Sequence, residues 1–115
     1  MGHAETSIRN DCLDLLHRRG FYARNNPLGL FRPYKGRVPI TIGRAGEYDI
    51  LAIGPNGVLL WVETKTPKGK DRDAQPVFLE NMTQRGVACV KVRSVEELQT
   101  YLDENRDRFD DCIPF

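Results

Sequence analysis

The sequence predicts an α/β domain whose elements run α-β-β-β-α-β-α, and three observations lead to it. Apolar residues recur at helical spacing near both ends of the chain, Ile8, Cys12, Leu15 and Leu16 at one and Leu98, Tyr101 and Leu102 at the other. Between them, residues 48–53 and 58–65 are apolar, β-branched runs around Gly54-Pro55-Asn56-Gly57, the strongest hairpin signal present. A chain of 115 residues fits one compact domain and is long enough to bury a core without staples, which chains below roughly 40 residues usually need. One domain over residues 1–115 is expected, without repeats or low-complexity tracts.

The first helix covers residues 4–19, and Gly20 stands where a helix C-terminus favours positive φ. Residues 21–24 follow as a short strand, and Asn25-Asn26-Pro27-Leu28-Gly29 is a loop by its turn formers. In residues 35–43, Val38, Ile40 and Ile42 alternate as in a strand, with Pro39 restricting it to an edge or irregular position. After the hairpin, Asp73 caps a helix that runs through Phe78, Leu79 and Met82 to Arg85; Pro76 is tolerated in its first turn and Gly86 closes it. Residues 87–92 form a buried strand, and Ser94 with Glu97 makes a capping box for the last helix.

Apolar residues are 40% and charged residues 29% of the chain, far from disordered or membrane compositions. No apolar run approaches the roughly 20 residues that span a bilayer, and the N-terminus lacks the hydrophobic stretch of a signal peptide. A cytoplasmic location without a membrane partner is expected. Cys12, Cys89 and Cys112 are odd in number and widely spaced, with only His3 and His17 to complete a zinc site. They are expected to be small hydrophobes in a reducing compartment.

The net charge is +1, but its placement is uneven. No acidic residue falls between Asp14 and Glu47, where Arg18, Arg19, Arg24, Arg32, Lys35, Arg37 and Arg44 lie. Lys65, Lys68, Lys70 and Arg72 form a second basic cluster, whereas Asp103, Glu104, Asp107, Asp110 and Asp111 gather near the C-terminus. Such a chain either binds a polyanion on one face or carries a solvated surface without consequence.

The hairpin turn determines which residues meet. Pro, Asn and Gly in succession mark a three-residue loop whose glycine takes the left-handed conformation of a bulge. Gly54 then pairs with Val58, and counting outward sets Asp49 opposite Glu63, with Lys65 on the same face. A two-residue loop would set the two carboxylates on opposite faces. Carboxylates on paired residues, with Cβ atoms about 5 Å apart, repel unless a cation lies between them, which suggests a divalent metal. Glu5 shares the apolar stripe of Ile8, Cys12 and Leu16, and Gln75 that of Phe78, Leu79 and Met82. Each either has a partner there or reaches water from a helix end.

Taken together, Glu5, Gly46-Glu47-Tyr48-Asp49-Ile50, Trp61-Val62-Glu63-Thr64-Lys65-Thr66-Pro67-Lys68-Gly69, and Gln75 followed by Phe78-Leu79 and Gly86 resemble the virus-type replication-repair nuclease domain, VRR-NUC. The resemblance spans residues 5–98. It implies the PD-(D/E)xK, restriction-endonuclease-like core, a mixed central sheet flanked by helices. It further implies that Asp49, Glu63, the Thr64 backbone carbonyl and Glu5 bind Mg²⁺ or Mn²⁺. Lys65 would position or activate the attacking water and neutralise charge on the phosphorane, and Gln75 would support the site by hydrogen bonding. Hard oxygen ligands suit Mg²⁺, and an anionic phosphate needs cations in its transition state. Glu47-Tyr48 departs from the small residue or proline that often precedes the family's aspartate, which makes Glu47 either a further carboxylate or a solvated one.

The resulting expectation is a structure-selective DNA endonuclease of DNA repair that cuts four-way junctions as a homodimer and uses no small-molecule cofactor. DNA would be held by Arg24, Arg32, Lys35, Arg37, Arg44, Lys68 and Lys70, and the apolar end Ile113-Pro114-Phe115 is a candidate interface, unless it folds back onto its own core. A flap or nicking endonuclease of the same fold, a non-catalytic DNA-binding module, and an unrelated binding protein in which Glu63-Thr64-Lys65 is a plain surface strand are the alternatives.

Overall fold

The computed structural model describes residues 2–27, 29–31, 40–42, 44–70 and 74–109. Among them the order is α1 (Gly2–Arg18), β1 (Tyr22–Asn25), β2 (Gly29–Phe31), β3 (Ile40–Ile42), β4 (Ile50–Ile53), β5 (Leu59–Thr64), α2 (Gln75–Gln84), β6 (Ala88–Val92), α3 (Val95–Glu104) and α4 (Arg106–Phe109). Five strands precede α2 where the predicted order had three. β3 falls within residues 35–43, whose alternation suggested a strand, whereas β2 is only three residues long and opens on Gly29, whose turn signal pairing overrides.

The main sheet has the order β1-β4-β5-β6, antiparallel at the first two pairings and parallel at the last, so it is mixed. β2 and β3 form a separate antiparallel pair. The parallel step follows from connectivity, since α2 carries the chain back across the sheet between β5 and β6.

Side chains alternate along β5, with Leu60, Val62 and Thr64 on one face and Trp61, Glu63 and Lys65 on the other. Leu60 and Val62 join Ile50, Ala52, Ala88 and Val92 in the core, which Cys12, Leu15 and Leu16 of α1 and Leu98 and Leu102 of α3 cover. On the other face α2 lays Phe78 edge-on against Trp61, ring centroids 5.3 Å apart, and beside Tyr48, also at 5.3 Å. Phe109 of α4 packs on Phe21 at 5.6 Å, which draws the end of the described chain onto the core. The proposed interface Ile113-Pro114-Phe115 and Cys112 lie outside the described residues.

The hairpin has the register counted from the turn. Ile50 pairs with Val62 and Ile53 with Leu59; Gly54 donates its N–H to the Val58 carbonyl at 2.8 Å, and Gly57 has φ +85°. Helix ends follow local chemistry less closely. Ala74 takes the N-cap of α2 with no side-chain capping bond, so the cap falls one residue after Asp73, which is outside the described residues. At α3, Ser94 Oγ accepts from the Glu97 N–H at 3.2 Å as expected, while Glu97 Oε1 accepts from Arg93 N–H at 2.6 Å, one residue before the box would close.

Candidate active site

Asp49 lies one residue before β4, where the chain bends, and Glu63 lies near the end of β5, so both stand at the rim of the sheet. Three bonds fix them. Asp49 N–H donates to Glu63 Oε1 at 3.0 Å; Thr64 N–H donates to Asp49 Oδ1 at 3.2 Å; Thr64 Oγ1 donates to Asp49 Oδ2 at 2.7 Å. Lys65 N–H bonds the Val92 carbonyl on the β6 side. Because successive residues of a strand turn their backbone groups to opposite sides, the Thr64 carbonyl faces the Asp49 side.

Helix α1 brings Glu5 to the same rim. Oxygens of Glu5, Asp49 and Glu63 all lie within 4.8 Å of one another, an arrangement able to hold a metal ion. Lys65 Nζ sits 3.2 Å from Glu63 Oε2 and donates to the Lys70 carbonyl at 2.9 Å. Glu63 is 1% and Lys65 5% exposed. Burial and the adjacent Glu63 charge push the Asp49 carboxyl up to about 6, against the lowering effect of the Thr64 bonds and of Arg9. Gln75, 1% exposed, opens α2.

The carboxylates face a cavity of about 320 Å³ lined by Glu5, Arg9, Asn25, Asn26, Pro27, Asp49 and Glu63. Sequence reasoning missed Arg9 and Asn26. Arg9 follows Glu5 by four residues, so helical spacing was enough to find it. Asn26 left no signal: its N–H holds the Asp49 carbonyl at 2.8 Å and its Nδ2 bonds Glu47 Oε1 and the Tyr48 carbonyl, contacts that exist only once β1 pairs with β4.

Glu47 fits neither earlier reading. It is half-buried, accepts from Asn26 and from the Arg44 N–H at 3.2 Å, and is not among the clustered carboxylates. Of the basic residues, Arg24, Lys68 and Lys70 are exposed, Arg19 is paired with Asp103 at 2.9 Å, and Arg44 borders a separate groove containing Val77, Phe78 and Arg85. Arg32, Lys35, Arg37 and Arg72 lie outside the described residues. Burial pushes the Cys12 thiol up to about 12, as suits an inert core cysteine.

The mixed four-stranded sheet flanked by helices is a PD-(D/E)xK-like α/β fold. Within that class its likeness is to a solved structure described as "VRR_NUC domain", with a TM-score of 0.63 over 92% of this chain and 97% of that one, at 21% sequence identity. No protein-family model and no curated protein matches the sequence.

Proposed function

We propose that the chain is a divalent-metal-dependent DNA endonuclease, selective for branched DNA and above all four-way junctions, acting as a homodimer. The observation that carries this reading is the group of carboxylates from Glu5, Asp49 and Glu63 beside Lys65, at the rim of a VRR_NUC-type sheet.

The donors fit a hard dication. They offer only oxygen, and burial together with the neighbouring Glu63 charge makes Asp49 resist ionisation, a cost that an ion among them would offset. Glu5, Asp49 and Glu63 would hold Mg²⁺ or Mn²⁺ with the Thr64 carbonyl. Such an ion, when bound, supplies Lewis-acid charge at a phosphate and eases deprotonation of water.

The remaining steps belong to the chain. Hydrolysis joins a water oxygen to phosphorus, breaks one ester P–O bond, and returns a proton to the departing sugar oxygen. Lys65, held between Glu63 and the Lys70 carbonyl, orients that water and opposes the charge that grows on the phosphate oxygens. Gln75 supports the arrangement from α2. Arg24, Lys68 and Lys70 meet flanking phosphates, which position DNA without reading its sequence, together with Arg32, Lys35, Arg37 and Arg44.

Labelled flap, duplex, single-stranded and four-way substrates incubated with Mg²⁺ or Mn²⁺ test the proposal. Metal-dependent cleavage with preference for the four-way substrate is expected, and Asp49→Ala or Glu63→Ala should abolish it with the fold intact. Cleavage by either variant at near wild-type rate overturns the site. Cleavage of flaps alone replaces the junction reading with that of a flap nuclease.

A further inference from the structure

The cavity beside the carboxylates contains a cation that the proposed chemistry has not used. Arg9 lies one helical turn beyond Glu5 on α1 and lines the space with Asp49 and Glu63. Its Nε is buried without a hydrogen-bond partner, and among the described residues the guanidinium makes no ion pair, although three carboxylates share its surroundings. A buried donor without an acceptor is costly, and a guanidinium present only to balance the carboxylates would be expected to grip one of them. Two of the carboxylates have other partners: Asp49 takes two bonds from Thr64, and Glu63 takes the Asp49 N–H and Lys65.

The charge of the site points the same way. Three carboxylates against Arg9 and Lys65 leave one negative charge, which a dication converts to one positive charge. A single phosphodiester neutralises that. The flat, forked guanidinium suits two oxygens of a phosphate better than a lysine does.

We propose that Arg9 is a phosphate-binding residue of this site, its guanidinium taking non-bridging oxygens of the DNA phosphate that meets the carboxylate cluster. The inference rests on the nuclease reading above and adds to it the residue that seats the phosphate on the α1 side. Arg9 thus acts on the substrate, from the same helix face that brings Glu5 to the cluster.

Arg9→Gln and Arg9→Lys, compared with the wild-type chain, test it through three measurements: Mn²⁺ titration calorimetry without DNA, anisotropy of a labelled four-way junction in Ca²⁺ across a salt series, and single-turnover cleavage in Mg²⁺. Arg9→Gln should keep its melting temperature and its Mn²⁺ affinity within about threefold, bind DNA about tenfold more weakly with a salt slope smaller by about one, and cleave at least about 30-fold more slowly. Arg9→Lys should recover part of the binding and little of the cleavage. Unchanged DNA binding in Arg9→Gln overturns the proposal. So does a loss of Mn²⁺ affinity that accounts for the loss of DNA binding, since Arg9 would then act by placing Asp49. If the wild-type chain cuts no substrate, the nuclease reading fails by itself, and the binding comparison in Ca²⁺ still decides the role of Arg9.

Discussion

At the residue scale, the site is built against stability. Glu63 and Lys65 are both buried, and an ion pair removed from water rarely regains what its desolvation costs. Asp49 shows the cost most directly, because burial and Glu63 raise its pKa from 3.8 to about 6. The folded chain therefore holds this proton more tightly than the unfolded chain. The stability it contributes is complete below pH 3.8 and lost as the pH rises to about 6. Without metal, Asp49 should make the protein melt lower at about pH 7 than at about pH 5, and Asp49→Asn should remove that part of the slope while abolishing Mn²⁺ binding. A melting series over this range, with and without the substitution, checks it; identical slopes contradict it. Lys65 calls for a kinetic test. Lys65→Ala should lower kcat about 100-fold or more and leave DNA binding largely in place, whereas weaker binding with unchanged kcat would make Lys65 a simple phosphate contact.

At the element scale, the hairpin sets the site because its loop length sets the register. Removing Asn56 would leave a two-residue connection with Gly54 still opposite Val58, so Asp49 and Glu63 would keep their facing positions, while Pro55 cannot take the positive φ that such tight turns favour. That variant should melt lower and keep its Mn²⁺ binding; loss of Mn²⁺ binding with the secondary structure intact by circular dichroism would contradict the register argument. Two glycines at opposite ends of the hairpin differ in what they demand. A Cβ on Gly57 meets nothing, so Gly57→Ala should cost only the backbone penalty at φ +85°, about 1–2 kcal/mol. A Cβ on Gly46, at φ +90°, would run into the Ala74 carbonyl at the start of α2, which adds about 1–3 kcal/mol of overpacking. Gly46 is the point where the segment leading to Asp49 closes on the cap of α2. Urea denaturation should rank Gly46→Ala well below Gly57→Ala, and only the former should also weaken Mn²⁺ binding.

At the scale of the whole molecule, helix α1 and a sheet rim converge on one acidic cluster. The α1 helix packs on β1 and α3 while its first turns reach Asp49 and Glu63, and Arg19 near its end is tied to Asp103 of α3. On the proposed function, one such cluster would make one incision, and the two symmetric incisions of a four-way junction would call for a second copy related by a two-fold axis. Sedimentation at micromolar concentration should give the mass of a dimer, and DNA affinity should fall steeply with salt as phosphate contacts are screened. A monomer that ignores junctions would refute this assembly without touching the metal site.

The sequence by itself determined the hairpin, its register and hence the meeting of Asp49 with Glu63, because turn type is local chemistry and strand alternation carries its consequence outward. It also placed Glu5 and Gln75 on helix faces turned toward the sheet, since periodicity marks a face. What the tertiary structure decided is everything that depends on elements meeting at a distance. The pairing of β2 with β3 joins a segment that alternates in the sequence, Ile40–Ile42, to one too short to show a pattern, Gly29–Phe31. The clasp of Asn26 on Glu47, Tyr48 and Asp49 needs β1 beside β4. Lys65 finds the Lys70 carbonyl only after the loop beyond β5 has folded back. Arg9 becomes part of the site only when α1 is packed with its first turns at the sheet rim, because a helix face has a direction in sequence but acquires its neighbours through packing.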